Sequence, residues 1–184
     1  MTATEILKNE HKVILMVMAA AESEIRAIIP TGRIATDNIE KIIDFCRVFI
    51  ESCHNAKEEE YLLPKMQERG EVGNRGLLKT IFEEHAEGRH LQQLIIQALP
   101  QAKTCGFPSC VAAVTANLKA YSELLRTHIE KEDNILFPLA DRLLTAEDQK
   151  TILVSFEKHE TEEVGVGVHG KYLQLAHELA QAYR

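Results

Sequence analysis

The sequence predicts an all-α protein, an up-down antiparallel four-helix bundle with an additional C-terminal helical region. Three observations predict this class. The 184 residues include no Trp, only 9 Gly and 5 Pro, a composition typical of long helices. Apolar residues recur at steps of three and four over several long stretches, which is the spacing of a helix with one buried face. Short segments containing Pro or Gly separate these stretches, and short connections favour antiparallel neighbours.

The first predicted helix runs from about Thr4 to Ile29 and ends at Pro30. The second begins at Thr36, which suits an N-cap, and continues past Pro64, where we expect a kink. Both helices have inner faces of apolar residues at helical spacing. These are Leu7, Ile14, Leu15, Met18, Ile25 and Ile29 in the first helix, and Ile39, Ile43, Cys46 and Ile50 in the second.

The third predicted helix spans about Leu77 to Leu99, and residues 100–108 form the next connection. The fourth runs from about Ser109 to Leu143. Their predicted inner faces are again apolar. They comprise Leu78, Ile81, Phe82, Ile95 and Leu99 in the third helix, and Val114, Leu118, Tyr121, Leu125, Ile135 and Leu139 in the fourth.

A fifth helical region begins at Thr145, an N-cap followed by acidic residues. The glycine-rich residues 164–170 weaken its middle, because each Gly costs roughly 1 kcal/mol relative to Ala in a helix. We therefore expect one domain over residues 1–184, with the bundle core at about 4–143 and a helical extension at about 146–183.

Charge and cysteine content exclude several classes of function. A formal net charge of −7 argues against binding to nucleic acid or to an anionic membrane. No signal peptide or stretch of ~20 apolar residues is evident, so we expect a cytoplasmic protein without a membrane partner. Four cysteines without a CxxC motif are too few for a disulfide scaffold. Cys46 and Cys53 are expected in the core, whereas Cys105 and Cys110 flank a connection where a redox-sensitive pair is the alternative to free thiols.

Two polar residues interrupt the predicted apolar face of the fourth helix. His128 and Glu132 are one helical turn apart, so their side chains point the same way. An imidazole and a carboxylate in an apolar core cost several kcal/mol unless something satisfies both. A metal ion would satisfy both groups.

The same motif occurs twice. His54 to Pro64 matches His128 to Pro138 at an offset of 74 residues, and Glu10-His11 matches Glu84-His85 at the same offset. A duplication without chemistry is the alternative, but it would preserve apolar positions and not costly polar ones. We therefore predict one shared metal site made of six residues, namely His11, His54, Glu58, His85, His128 and Glu132.

The number of these groups indicates two ions. Four imidazoles and two carboxylates exceed the ligand set of a closed tetrahedral zinc site. They suit two octahedral ions such as iron, each with two histidines, and with Glu58 and Glu132 as bridges. Zinc or manganese occupancy stays open, because ligand softness alone does not separate these metals.

These motifs resemble the hemerythrin-like, HHE cation-binding domain family over about residues 5–143. The resemblance rests on His11, on HxxxE at His54, on Glu84-His85 followed by Gly88-Arg89, and on HxxxE at His128 before Leu136-Phe137-Pro138. It implies a non-haem di-iron centre in a four-helix bundle. Respiratory hemerythrins have HxxxH on the third helix and HxxxxD on the fourth. Here Arg89 stands at the HxxxH offset from His85, and the fourth helix is interpreted as HxxxE at His128 and Glu132, which implies a centre with fewer histidines and more open positions.

Three functions are consistent with such a centre. The first is binding of O₂ or a related small oxidant (NO, peroxide) for sensing, storage or detoxification. The second is a di-iron oxidoreductase, peroxidase-like or NO-reducing, which needs an external electron donor because the sequence contains no flavin or NAD motif. The third is iron storage or iron-responsive regulation, in which a partner contacts the fifth helix.

Three further polar residues are less strongly indicated as parts of the metal site. His159 echoes His85 at the same 74-residue offset and is interpreted as an echo without a ligand role, with a fifth histidine ligand as the alternative. Tyr121 is interpreted as a core tyrosine, with a redox neighbour of the metals as the alternative. Arg89 is expected to pair with Glu84 or with a ligand carboxylate.

Two acidic residues and three histidines are assigned mainly to the surface. Glu59 and Asp133 are expected on solvated faces, with a role as substitute ligands as the alternative. His90, His169 and His177 are expected to be surface residues.

Overall fold

The computed structural model describes residues 1–31, 34–70, 75–104 and 108–182. These residues form six helices and, within the described ranges, no strand. The helices are α1 (Ala3–Thr31), α2 (residues 36–69), α3 (Arg75–Thr104), α4 (residues 108–143), α5 (residues 146–165) and α6 (Val168–Gln181). Helices α1 to α4 form the predicted four-helix bundle, and α5 and α6 are the C-terminal extension.

The predicted boundaries of the bundle helices differ from the observed ones in three places. Helix α1 contains Pro30 and ends at Thr31 instead of stopping at the proline. Helix α3 continues through Pro100 to Thr104, although a proline lacks the amide that a helix interior requires. Helix α2 begins at Thr36, but its N-cap is Ala35, which makes no side-chain capping bond. The other predicted cap is confirmed: the Thr145 and Asp148 side chains form a capping box at the start of α5.

Helices α2 and α4 each contain π-helical turns, which insert an additional residue relative to α-helix. The amide of Leu63 donates to the Glu58 carbonyl, and the amide of Phe137 donates to the Glu132 carbonyl, each five residues back. Pro64 and Pro138 follow these amides and have no N–H to offer the carbonyl four residues earlier. The predicted kink at Pro64 is thus a π-turn, repeated at Pro138.

The π-turns explain why one predicted core position is wrong. Ile135 was expected on the inner face of α4 but is 55% exposed, whereas Leu136 is fully buried, because the additional residue moves the inward position along by one. Two further predictions were also wrong. Ile29 is 71% exposed and Phe82 39% exposed, because the preceding residue in each helix, Ile28 or Ile81, occupies the core.

The buried apolar residues form two clusters with a polar layer between them. One cluster lies toward the ends of α1 and α3 and includes Ile14, Phe49 and Leu125. The other lies toward the opposite end and includes Leu7 and Phe137. The six predicted metal-site residues fall between these clusters in sequence on every bundle helix, so the bundle surrounds them with apolar packing on both sides.

The C-terminal extension packs along α1 and α2 and contributes to both clusters. Phe156 of α5 joins one cluster, and Tyr172 of α6 joins the other. Gly165 and Gly167 have φ values of 108° and 82°, which favour glycine, and they form the break between α5 and α6. The predicted weakening at residues 164–170 is confirmed.

Two remaining expectations concern the membrane and the cysteines. Among the described residues, no helix has the length and apolar composition to cross a membrane. Cys46 and Cys53 are free and buried, as predicted. Cys105 lies outside the described residues, as does the side chain of Cys110.

Candidate metal centre

The six predicted site residues meet in the polar layer at the centre of the bundle. Their side chains fall into two groups, each able to hold a metal ion, and the groups share Glu58 and Glu132. The first group also contains His11 and His54, and the second contains His85 and His128. All six residues are at most 3% exposed, so no solvent stabilises their polar atoms directly.

Each histidine pair faces the centre with its Nε2 atoms. His11 Nε2 lies 3.0 Å from His54 Nε2, and His85 Nε2 lies 3.0 Å from His128 Nε2. Two nitrogens at this distance repel unless a proton or a cation lies between them. A cation satisfies both lone pairs at once.

The two glutamates each contact one histidine of either pair. Glu58 Oε1 lies 3.7 Å from His54 Nε2, and its Oε2 lies 3.3 Å from His85 Nε2. Glu132 Oε2 lies 3.1 Å from His11 Nε2, and its Oε1 lies 3.0 Å from His128 Nε2. Each carboxylate therefore spans the two groups, which is the placement that a bridging ligand requires.

These carboxylates make no hydrogen bond in the described structure. Both oxygens of Glu58 and both oxygens of Glu132 are buried, and none has a partner with hydrogen-bond geometry. A buried carboxylate without such partners costs several kcal/mol. The chemistry of this donor set, four imidazole nitrogens around four bare oxygens, therefore fits a pair of metal ions.

A second layer of carboxylates fixes the orientation of the four imidazoles. The Nδ1–H groups of His11, His54, His85 and His128 donate to Asp133, Glu10, Glu59 and Glu84 over 2.7–2.9 Å. A carboxylate can only accept, so each Nδ1 carries a proton and each Nε2 is the nitrogen that faces the centre. Metal-bound histidines in proteins use the same arrangement.

Basic side chains hold these outer carboxylates in turn. Lys57 pairs with Glu10, and Lys131 pairs with Glu84 at the position 74 residues later. Lys57 is completely buried and also donates to Glu160 of α5 over 2.7 Å. The extension is therefore connected to His54 through an unbroken series of contacts.

Burial and nearby negative charges shift the imidazole pKa values of the metal-free protein in opposite directions. Burial disfavours the imidazolium, but the hydrogen bond to Asp133 and the negative charge of the nearby Glu132 raise the pKa of His11 to about 9. The same balance, with Glu132 as the main raising charge, raises the pKa of His128 to about 10. Burial alone would raise the pKa of Glu132, yet the adjacent imidazoles hold it well below its usual value. A bound cation would replace these protons.

Tyr121 and Arg89, two further candidates for the metal site, contact other side chains instead. The buried Tyr121 hydroxyl accepts a hydrogen bond from Gln92 Nε2 at 2.9 Å, so the interpretation as a core tyrosine is confirmed. Arg89 was expected to contact Glu84 or a ligand carboxylate, but it pairs with Glu51 and Glu59 at 3.2 Å and 3.0 Å. It therefore acts on His85 only through Glu59.

The histidines outside the repeat differ from one another. His159 is buried against α2, where its Nε2 donates to the Ser52 carbonyl, and it belongs to neither central group. His169 was expected at the surface but is partly buried and contacts Glu160 at 3.1 Å. His90 and His177 are exposed, as predicted.

Sequence reasoning missed the outer carboxylates and lysines as parts of the site. Glu59 and Asp133 hold imidazoles and are not central ligands, and Glu10 and Glu84 have the same function. Each of these pairs, like Lys57 and Lys131, shares the 74-residue offset of the histidines. That offset was the signal that could have found them.

The fold and the site together define a class, a four-helix bundle with central His and Glu groups able to hold metal ions. The model of the hemerythrin HHE cation-binding domain matches residues 2–140, so the chain belongs to this family. The expected family resemblance is confirmed.

Relatives with sequence similarity occur in mycobacteria. Uncharacterized proteins from two strains of Mycobacterium tuberculosis and from Mycobacterium bovis are each 24% identical over 164 residues, covering 89% of this chain. The chain spans 63% of the length of these relatives. No solved structure matches the chain.

Proposed function

We propose that the chain is a non-haem di-iron protein that binds O₂ or a related small oxidant (NO, peroxide) for sensing, storage or detoxification. One observation carries this proposal: the four buried oxygens of Glu58 and Glu132 have no hydrogen-bond partner and lie among four imidazole Nε2 atoms. Two cations would satisfy all of these atoms together.

The proposed ligands divide between the two ions by geometry. His11 and His54 would hold one ion, His85 and His128 would hold the other, and the two glutamates would bridge them. When bound, iron would supply electrons and open coordination positions to a small oxidant. Four imidazoles and two carboxylates leave positions unfilled around two octahedral ions.

The protein residues prepare the site for this chemistry. The outer carboxylates keep each imidazole in the tautomer that presents Nε2, so little reorganisation accompanies metal binding. The apolar clusters above and below exclude bulk water, which strengthens charge interactions inside the layer. An oxidoreductase activity would require an external electron donor, and Tyr121 is engaged by Gln92 instead of serving as a free redox neighbour.

Anaerobic loading with ferrous iron, followed by exposure to O₂ or NO, tests the proposal. We expect at least two irons per chain and an absorption change that depends on the added gas. The Glu132→Gln variant should lose iron, whereas Glu130→Gln, an exposed neighbour on the same helix, should retain it. Iron content below two per chain without any gas-dependent change would overturn the proposal. Repeated turnover with an added reductant would favour the oxidoreductase over stoichiometric binding.

One observation favours iron-responsive regulation as a second candidate. Lys57 contacts both Glu10, which holds His54, and Glu160 of the extension. Metal binding at His54 would thereby act on α5. Hydrogen exchange of α5 amides in metal-free and iron-loaded protein tests this candidate, and equal protection in the two states would contradict it.

A further inference from the structure

A third HxxxE motif lies outside the central pair, at His159 and Glu163 of α5. It faces Glu60 of α2, where the extension meets the bundle. We propose that His159, Glu163 and Glu60 form a site for a single divalent cation of the zinc or manganese type. This proposal does not depend on what the central groups bind.

The orientation of His159 is that of a metal ligand. The residue is 3% exposed, and its Nε2 lies 2.7 Å from the Ser52 carbonyl oxygen. A carbonyl oxygen can only accept, so Nε2 carries a proton and Nδ1 is the ring nitrogen that faces the two carboxylates. Metal-bound histidines commonly donate their other ring N–H to a backbone carbonyl or a carboxylate in this way.

Three oxygens surround Nδ1 at distances that fit a shared cation. Glu163 Oε2 lies at 3.4 Å and Glu60 Oε2 at 4.0 Å, and the Tyr61 hydroxyl, which donates a hydrogen bond to Nδ1 that a cation would replace, lies at 3.3 Å. A charge-assisted N–H···O contact is shorter, at about 2.7–2.9 Å. A tetrahedral cation with bonds of about 2.0–2.1 Å holds its ligand atoms roughly 3.3 Å apart.

Charge and access also favour a cation at this position. Side chains of Glu60 and Glu163 are 50% and 58% exposed, so ions reach them from solvent and water can complete the coordination. In the described part of the chain, neither carboxylate forms an ion pair with a lysine or arginine. The neighbouring Glu162, in contrast, pairs with Lys158 at 3.7 Å.

The site would join two π-helical turns. His159 and Glu163 belong to the π-helix His159–Gly165, and Glu60 belongs to the π-helix Glu58–Leu62. Such turns occur frequently at functional sites, because they re-aim side chains. A cation held here would attach α5 directly to α2.

Calorimetric titration of the metal-free full-length chain with Zn²⁺ tests the proposal. We expect the double variant Glu60→Gln/Glu163→Gln to bind one equivalent fewer than the wild type, and Glu162→Gln to bind as many as the wild type. The substituted carboxylates are half exposed, so the variants should remain folded, which circular dichroism checks.

A second pair of measurements separates this site from the central one. The Glu58→Gln/Glu132→Gln variant should lose zinc at the centre and still bind the equivalent that depends on Glu163. If the wild type and Glu60→Gln/Glu163→Gln bind the same number of zinc ions, His159 and Glu163 form an ion pair only and the proposal is wrong. If the Glu58→Gln/Glu132→Gln variant instead binds as much zinc as the wild type, the proposed central site is wrong, whereas the result for Glu60 and Glu163 is unchanged.

Discussion

Each of the four central imidazoles makes one contact that fixes its orientation and another within the polar layer at the centre of the bundle. Its Nδ1 donates to an outer carboxylate, and its Nε2 lies near Glu58 or Glu132. The outer carboxylates are held in turn by basic residues on three of the four sides. This order explains how the protein can bury so many ionisable groups at its centre. Each of the four imidazoles has a hydrogen-bonded partner, and only the Glu58 and Glu132 carboxylates of the six central groups have none.

Lys57 and Lys131 occupy equivalent positions in the repeat but differ in burial. The Lys57 side chain is 0% exposed and that of Lys131 is 27% exposed. We expect Lys57→Met to lower the free energy of unfolding by about 3–5 kcal/mol, because it leaves Glu10 buried without its cation. Lys131→Met should lower it by roughly 1 kcal/mol. Urea unfolding of both variants measures the difference. If both lower the free energy of unfolding equally, the buried contacts from Lys57 to the extension do not stabilise the protein.

The histidine pKa values predict how stability depends on pH in the metal-free protein. The pKa values of His11 and His85 are raised from 6.5 to about 9, and that of His128 to about 10. The folded state therefore holds these protons more tightly than the unfolded chain. Their contribution to stability is fully present below pH 6.5 and is lost as the pH rises through 9 and 10.

Urea unfolding of metal-free protein between pH 6 and pH 10 should accordingly show a declining free energy of unfolding. Zinc affinity should rise over the same range, because the bound cation displaces the protons. The zinc-loaded protein is the control and should decline less steeply. A free energy that stays constant or rises with pH would show that these imidazoles are neutral in the folded metal-free state.

At the scale of the helix, the π-turns decide which side chains reach the core. Periodicity predicted the helices, their approximate lengths and the polar interruptions at His54 and His128. It could not predict the register after Glu132, because an α-helical repeat carries no information about a single inserted residue. Proline at positions 64 and 138 was the available signal, and it indicated a kink instead.

Two adjacent substitutions test the register of this turn. Leu136 is fully buried and Ile135 is 55% exposed. We expect Leu136→Ala to lower the free energy of unfolding by about 2–5 kcal/mol, and Ile135→Ala by less than about 0.5 kcal/mol. Urea unfolding gives both values. The reverse order would mean that α4 continues as a regular α-helix through Glu132.

At the scale of the whole molecule, the 74-residue repeat relates two helical hairpins that meet at the central polar layer. Because the repeat is visible in the sequence, the six central residues could be predicted. The connection from Lys57 to Glu160 could not, since it joins the repeat to an extension that has no counterpart in it. The extension thus makes the two halves of the bundle unequal, covering Glu10 and leaving Glu84 at the edge of solvent.

Anomalous X-ray diffraction from crystals of the iron-loaded protein tests the central claim most directly, because it locates each metal atom. We predict two iron peaks in the layer between the apolar clusters, one beside His11 and His54 and the other beside His85 and His128, with Glu58 and Glu132 between them. A single peak in that layer, or none, would contradict the claim that these six residues hold a pair of ions.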